Sequence, residues 1–228
     1  MDNYCSNKTH NQNKLRLAIE LCLLFIAIPL CLFFLIPLPI LPILWGFAAL
    51  CRYVLMRDLG FDKSNLWRSN AIVQYLKPMF IRFIIFTIFL TIVISITAPD
   101  LLFNLIKQKP ALWLVIIILY PILSVYPQEL IYRAYFFHRY HQLFPHRWIM
   151  VVISGLAFGF MHIIFHNWIA VFLTTIGGTL FAYTYNRSKS TLLVSIEHSL
   201  FGCLMFSLGL GQFFYIGSIE TISQSLRI

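Results

Sequence analysis

The chain has 228 residues, of which 60% are hydrophobic and only 11% are charged, and its mean hydropathy is +0.81. A soluble domain of this size cannot bury so much apolar surface, so the composition excludes one and predicts a polytopic α-helical membrane protein with one domain. The formal net charge is +9, and the basic residues that produce it lie in short segments between apolar runs. This placement indicates membrane topology and not nucleic-acid binding.

The apolar runs divide the chain into about seven spans and predict an all-α polytopic integral membrane helical bundle. Residues 1–16 are polar and are expected to form a cytoplasmic tail. Residues 17–56 are too long for one span of about 20 residues, and their prolines predict a helical hairpin turning at residues 36–42. Residues 52–82 hold six basic and two acidic residues, which predicts a surface loop with room for an amphipathic helix on the membrane.

Prolines and glycines mark the later spans. Pro99 is expected to end the third span, whereas Pro121 and Pro127 are expected to kink the fourth span without ending it. The pair Gly177-Gly178 in the sixth span predicts a site where another helix approaches closely. The third to seventh spans are expected at residues 81–98, 111–140, 148–165, 168–185 and 190–210.

The basic residues predict an orientation in the membrane. With the N-terminus inside, the predicted cytoplasmic segments hold all but three of the 17 Lys and Arg residues, as the positive-inside rule requires. We expect membrane helices and a basic loop over residues 17–110, a catalytic core over 111–210 and a tail over 211–228. The compact chain suits a bacterial inner membrane. The three basic residues left outside are Lys107, Lys109 and Arg227.

Glu129 and Arg133 follow the apolar run 111–125, where hydrocarbon would be expected. A charged side chain at the centre of a membrane helix costs about 2.5–3.5 kcal/mol on insertion scales, so such residues are functional or tightly paired. The two are four residues apart and can neutralise each other on one helical face. A purely structural ion pair would explain them equally well.

Two histidines are expected at a depth similar to that of Glu129. At about 1.5 Å rise per residue, His162, His198 and Glu129 fall within one or two helical turns of the same depth on three different helices. Glu197 stands next to His198. This grouping predicts a functional cavity in which a carboxylate acts as general base while histidines orient water or donate to an oxyanion.

A zinc site is a second interpretation of the histidines. His162 and His166 are spaced i, i+4, and together with His198 or Glu129 they could in principle hold zinc. His166 stands at the expected outer end of its helix, which makes this the weaker interpretation. The sequence contains no H-E-x-x-H and no G-x-S-x-G.

Three short motifs lie in order on the fourth, fifth and seventh predicted spans: Gln128-Glu129-x-x-x-Arg133, Phe158-x-x-x-His162 and His198-x-x-x-Gly202. They resemble the E-E-x-x-x-R, F-x-x-x-H and H-x-x-x-N motifs of the CAAX prenyl protease and bacteriocin-processing (CPBP or ABI) family of intramembrane proteases. The resemblance covers roughly residues 110–210.

The resemblance implies an endopeptidase that works within the bilayer on a membrane-bound, prenylated or leader-bearing protein, without nucleic acid. In the family, the first glutamate and the histidine of the second motif, here His162, activate the water. The second glutamate, here Glu129, pairs with Arg133, while the last histidine and the asparagine stabilise the oxyanion. The family has been described both as metalloproteases and as metal-free glutamate proteases, and the sequence leaves that open.

Two residues depart from the family pattern. Gln128 replaces the first glutamate, and an amide cannot act as a general base; Gly202 replaces the final asparagine and removes a side-chain donor. In one interpretation Glu129 takes over as the base with His162, and Glu197 adds a second carboxylate. In the other, the protein has lost hydrolysis and serves as a membrane scaffold or immunity factor.

The retained charged residues favour an active or formerly active protease, because each is costly to bury without use. A proton-coupled transporter is a further alternative, since intramembrane glutamate and histidine can form a proton relay. That class often shows internal repeats, and the sequence has none.

Overall fold

A computed structural model describes the backbone of residues 2–35 and 39–214, and within these ranges the side chains from residue 12 onward. The described chain is helical and contains no β-strand in those ranges, which confirms the all-α class. We label the seven long helices in chain order and count π turns as part of the helix they interrupt. They are α1 (Asp2–Cys22, continued by Leu23–Ala27 and Ile28–Phe34), α2 (Ile40–Arg57), α3 (Asn70–Thr97), α4 (Pro110–Arg139), α5 (Arg147–Met161, extended by a 3₁₀ turn at His162–Phe165), α6 (Trp168–Ser188) and α7 (Thr191–Ser207).

Among the described residues, six helices are long and apolar enough to cross a membrane, with the first crossing segment at Gln12–Phe34. The seventh, α7, has only 17 residues, about 26 Å at 1.5 Å per residue, and lies against α3, α4 and α6. The result agrees with the expected bundle of about seven helices. The backbone of the expected polar tail is helical from Asp2 and continues into the first span.

Prolines interrupt or widen the helices where the sequence predicts. The predicted division of residues 17–56 into two helices is confirmed, since α1 ends at Phe34 and α2 begins at Ile40. Residues 36–38 of the expected hairpin turn lie outside the described residues. Helix α4 passes both of its inner prolines, with π turns at Pro121–Val125 and Leu130–Tyr135. A π turn accommodates a proline, which lacks an N–H and clashes with the preceding turn.

The predicted surface loop at residues 52–82 is wrong in both of its boundaries. Helix α2 continues to Arg57 and α3 begins at Asn70, so the loop holds only residues 58–69 with a short 3₁₀ turn. The charge of Arg82 suggested a loop, but this side chain points into the bundle and pairs with the buried Glu197 on α7. A partner 115 residues away is invisible to local composition.

Helices α5 and α6 pack closely because glycines face their contact. A Cβ added to Gly155 would lie 2.8 Å from the backbone of Thr179, and one added to Gly159 would lie 2.9 Å from the Cα of Thr175. In the predicted glycine pair, Gly178 faces a neighbouring helix, and a Cβ there would lie 2.7 Å from the Phe158 ring. The expected close approach in the sixth span is therefore confirmed.

The first helix is tied to α4 by a charged cluster. Glu20 on α1 accepts hydrogen bonds from Arg139 at 2.7 and 2.9 Å, from Tyr135 at 3.0 Å and from Tyr140 at 3.1 Å. One turn further along α1, Phe25 is buried and packs edge-on against aromatic rings of α4. These contacts hold the half of α4 that carries the first motif.

Candidate active site

Glu129 and Arg133 form an ion pair in the centre of the bundle. Both residues are 0% exposed, and Arg133 Nε lies 3.0 Å from Glu129 Oε2 across one turn of α4. Arg133 also donates to Ser154 Oγ on α5 at 2.8 Å, and its guanidinium lies over the Phe158 ring at 5.1 Å. The buried guanidinium faces the carboxylate, and its contacts with α5 fix the position of the pair.

His198 on α7 binds the second oxygen of Glu129, with 2.8 Å between Nδ1 and Oε1. We assign the hydrogen to Nδ1, because a carboxylate oxygen that faces a guanidinium is expected to accept. The other ring nitrogen, Nε2, is therefore an acceptor. The sequence predicted that Glu129 and His198 lie at one depth, and the structure brings them into direct contact.

The hydroxyl of Tyr120 lies 3.1 Å from His198 Nε2 and donates to it. Tyr120 also stands on α4, nine residues before Glu129. At about 100° per residue, nine residues would place the two on opposite faces of an ideal helix. The π turn at Pro121–Val125 lies between them and changes this relation, because it adds a residue to the turn.

His162 lies beside this centre but does not touch Glu129. Its Nδ1 donates to the carbonyl of Phe158 at 2.7 Å, which leaves Nε2 as the free ring nitrogen. The Phe158 ring stands between the two histidines, 4.8 Å from the ring of His162 and 5.4 Å from that of His198. Phe158, the aromatic residue of the second motif, thus separates the two imidazoles.

Glu197 is buried, but it faces away from the cavity. Its Oε1 accepts from Arg82 Nη2 on α3, and the same guanidinium nitrogen donates to Thr184 on α6. The ion pair joins three helices and occupies Glu197, which the sequence suggested as a second carboxylate of the site. Glu197 therefore acts in the packing of α7.

The two departures from the family pattern have different surroundings. The amide nitrogen of Gln128 donates to Ser124 Oγ at 2.8 Å one turn earlier on α4. Gly202 lies one turn after His198, and a Cβ at this position would lie 2.7 Å from Cζ of Tyr120. The Tyr120 ring therefore fills the space into which a side chain at residue 202 would project.

The histidines do not fit a zinc site. Both ring nitrogens of His198 are engaged, Nδ1 of His162 is bonded to a carbonyl, and the ring of His166 packs on Phe33 at 4.2 Å. Among the described residues, no three His, Cys, Asp or Glu side chains are close enough to hold a metal ion. The proposed zinc ligands and the metalloprotease description thus find no support in this arrangement.

An apolar cavity of about 240 Å³ opens beside His198. His198 and Tyr120 reach its wall, whereas Glu129 lies behind His198 and does not line it. Apart from these two, the polar lining consists of Ser124 and Thr174. The rest is mostly aromatic and aliphatic, including Phe86, Phe158, Phe165, Leu173, Phe181 and Met205.

Together, the fold and this site define a polytopic integral membrane protein that buries a carboxylate–histidine centre beside an apolar cavity. A family model described as type II CAAX prenyl endopeptidase, Rce1-like, matches residues 108–204. The matched segment contains all three motifs, so the resemblance to the CAAX prenyl protease family is confirmed. The match supports a CAAX-type intramembrane endopeptidase in general, with a bilayer environment and a membrane-associated substrate. The searches of curated proteins and of solved structures found no match.

Sequence reasoning missed three residues at or near the site. Ser154 holds Arg133, Arg82 holds Glu197, and Tyr120 reaches His198. The charge of Arg82 at the start of an apolar run was a usable signal, because such a charge needs a partner. Tyr120 carried no comparable signal, since its helical spacing from Glu129 pointed to the wrong face.

Proposed function

We propose that this protein is an intramembrane endopeptidase in which Glu129 and His198 together activate the attacking water. The observation that carries this proposal is the connected series of Arg133, Glu129 and His198, which ends at the wall of an apolar cavity. Both oxygens of Glu129 are engaged, whereas His198 lines the cavity and its Nε2 accepts only from the Tyr120 hydroxyl. Once that hydroxyl turns away, Nε2 can accept from a water in the cavity.

In the proposed reaction, a water in the cavity gives its proton to His198 Nε2 while its oxygen attacks the carbonyl carbon of the scissile peptide bond. Glu129 stabilises the imidazolium that forms, because its carboxylate accepts from Nδ1. The imidazolium then protonates the leaving amine as the carbon–nitrogen bond breaks. The sequence predicted water activation by Glu129 and His162; in this proposal Glu129 acts through His198, and His162, which lies across the Phe158 ring, has no contact with the water.

The cavity supports a lipidated substrate. Its wall is mostly aromatic and aliphatic, and a buried apolar surface suits an isoprenoid or acyl chain attached near the scissile bond. We propose a membrane-associated protein with a prenylated C-terminus as the substrate, with a leader-bearing peptide as the alternative. Both would approach His198 from within the bilayer.

The first prediction concerns Glu129→Gln and His198→Gln in purified protein, assayed with quenched peptides that include prenylated C-termini. Each variant is expected to lower kcat by about 10²–10⁴, since general-base catalysis contributes this much. Added chelator is expected to leave the wild-type rate unchanged. The matched control is Glu197→Gln, which changes an equally buried carboxylate that lies away from the cavity and is expected to retain most of the activity.

Equal losses in Glu197→Gln and Glu129→Gln would contradict the proposal and indicate that buried carboxylates only support the fold. A rate lost on chelation would revive the zinc interpretation.

A second candidate function is a catalytically impaired membrane scaffold, and the specific observation in its favour is the amide at Gln128. The variant Gln128→Glu restores the first glutamate of the family motif. If wild type cleaves nothing and Gln128→Glu cleaves the same peptides, the scaffold interpretation is the correct one.

A further inference from the structure

We propose that the phenol of Tyr120 supplies the oxyanion donor that Gly202 cannot provide. This inference rests on the proposed endopeptidase function and adds one catalytic residue to it. In the family pattern an asparagine amide occupies position 202, one helical turn after the histidine. Here the glycine removes the amide, and an aromatic hydroxyl from another helix enters the same space.

Tyr120 on α4 and Gly202 on α7 lie against each other. A Cβ on Gly202 would lie 2.5 Å from the Tyr120 hydroxyl oxygen and 2.7 Å from its Cζ, so the two positions cannot both carry a side chain here. The glycine is thus required by the tyrosine, because only a residue without a Cβ allows this approach. Edge-on packing against Phe206, with ring centroids 5.3 Å apart, holds the Tyr120 ring in place.

The Tyr120 hydroxyl is directed toward His198 at the cavity wall. It lies 3.1 Å from His198 Nε2, and both residues line the 240 Å³ cavity. A group bound at Nε2 in the cavity is therefore close to the hydroxyl as well. This is the geometry needed by a donor that serves the same reacting carbonyl as the base.

The hydroxyl hydrogen of Tyr120 changes its acceptor during the proposed reaction. Before the reaction, the Tyr120 hydroxyl donates to the free lone pair of Nε2. The attacking water can give its proton to that lone pair only after the Tyr120 O–H turns away from it, and the hydroxyl hydrogen is then available to another acceptor. The acceptor formed at that moment is the carbonyl oxygen, which gains the electron pair of the C=O π bond as the hydroxide oxygen bonds to carbon. Tyr120 keeps its proton throughout and is a donor, not a base.

The second prediction is that Tyr120→Phe lowers kcat by about 10²–10³ with little change in KM, because one oxyanion donor is worth this much. Phenylalanine keeps the ring that packs on Phe206, so the fold is expected to be retained. The matched control is Tyr75→Phe, which removes a hydroxyl that donates to the Arg187 carbonyl away from the cavity. The control is expected to leave kcat unchanged.

A donor exchange tests the same idea by rescue. Gly202→Asn alone is expected to be inactive, since its side chain collides with the Tyr120 ring. In the double variant Tyr120→Ala/Gly202→Asn the ring is gone and the amide stands where the family has it. We expect the double variant to recover at least tenfold over Tyr120→Ala.

A binding measurement separates failure of this inference from failure of the proposed function. A peptidyl phosphonate carries a charged oxygen in the position of the oxyanion, and its affinity does not depend on turnover. Its Kd is expected to rise at least tenfold in Tyr120→Phe, while that of the parent peptide stays the same. Equal phosphonate affinity in wild type and Tyr120→Phe would overturn the role of Tyr120 and leave the proposed function standing. No binding of phosphonate or peptide to wild type would overturn the proposed function, and this inference with it. A faster Tyr120→Phe enzyme would overturn it too, since the hydroxyl would then be blocking Nε2.

Discussion

At the scale of single residues, Glu129 holds the position of the second motif glutamate. Its Oε2 faces Arg133, which is the pairing that the family resemblance implies for that residue. The other oxygen holds His198. Since both carboxylate oxygens already have partners and neither lines the cavity, we assign the role of base to the imidazole of His198. In the proposed reaction residue 128 takes up no proton, so an amide at this position is compatible with activity.

The third prediction concerns the buried ion pair. Arg133→Met removes the guanidinium and leaves the Glu129 carboxylate without its cationic partner inside the bundle. Removing one member of a buried pair costs about 3–5 kcal/mol in the free energy of unfolding. Denaturant unfolding in detergent measures this change. The control is Arg68→Met at the surface pair with Asp62, which is expected to cost no more than about 1 kcal/mol.

Wild-type stability of Arg133→Met would contradict a stabilising ion pair between Arg133 and Glu129. A loss of unfolding free energy of similar size in Arg68→Met would show that the measurement does not distinguish the buried ion pair from the exposed one.

At the scale of helices, the widened turns of α4 decide what the site contains. Two π turns separate Tyr120, Glu129 and the end of the helix. Each π turn shifts the faces that follow it, so residues nine positions apart come to share one histidine. Membrane helices tolerate such turns because neighbouring helices satisfy the freed backbone groups. A pattern analysis that assumes 3.6 residues per turn cannot find this relation.

The fourth prediction compares two glycines in different helices. Gly159→Ala is expected to destabilise the fold by about 1–3 kcal/mol, because the added methyl overpacks the contact with Thr175 on α6. Gly46→Ala has no atom within 4 Å of the new methyl and is expected to stabilise α2 by about 0.5–1 kcal/mol through helix propensity. Unfolding midpoints in one detergent compare the two. Changes of the same sign in both variants would contradict the predicted close contact.

At the scale of the whole molecule, the basic residues gather at one end. Lys189 follows α6, outside the membrane-spanning segments, and its burial together with the positive charges of Arg147 and Arg68 lowers its pKa to about 8. The same end holds a second cavity of about 440 Å³, whose lining includes Arg147, His138 and Lys189. Basic residues that are far apart in the sequence therefore share one side, as the predicted topology requires.

The fifth prediction is the orientation of the bundle. With the N-terminus in the cytoplasm, residue 108 lies outside and residue 189 lies inside. A phosphatase reporter that works only after export is expected to be active when fused after residue 108 and inactive after residue 189. A fluorescent protein that folds only in the cytoplasm serves as the control and is expected to give the opposite pattern. The reverse result at both positions would place the N-terminus outside.

The location in a bacterial inner membrane and the division of the chain at residues 16, 110 and 210 also stay predictions. Residues 215–228 of the tail lie outside the described residues.

The sequence by itself determined the membrane class, the order of the helices and the residues of the three motifs. Membrane spans and helix breaks depend on the hydropathy and the prolines of neighbouring residues, so the sequence alone predicts them. The depth of Glu129, His162 and His198 followed from helical rise alone. The hairpin, the continuous α4 and the close approach at Gly178 followed from the same local properties.

Only the tertiary structure decided which groups meet. The rotation of each helix about its axis, altered by π turns, sets the contact of Glu129 with His198 and that of Tyr120 with the same ring. Arg82 looked like a loop residue until its partner on α7 was in place. Such pairings depend on how helices that are distant in the chain pack together. A charge can be buried at low free-energy cost only where this packing supplies an oppositely charged or hydrogen-bonding partner, and that partner is not among its neighbours in the sequence.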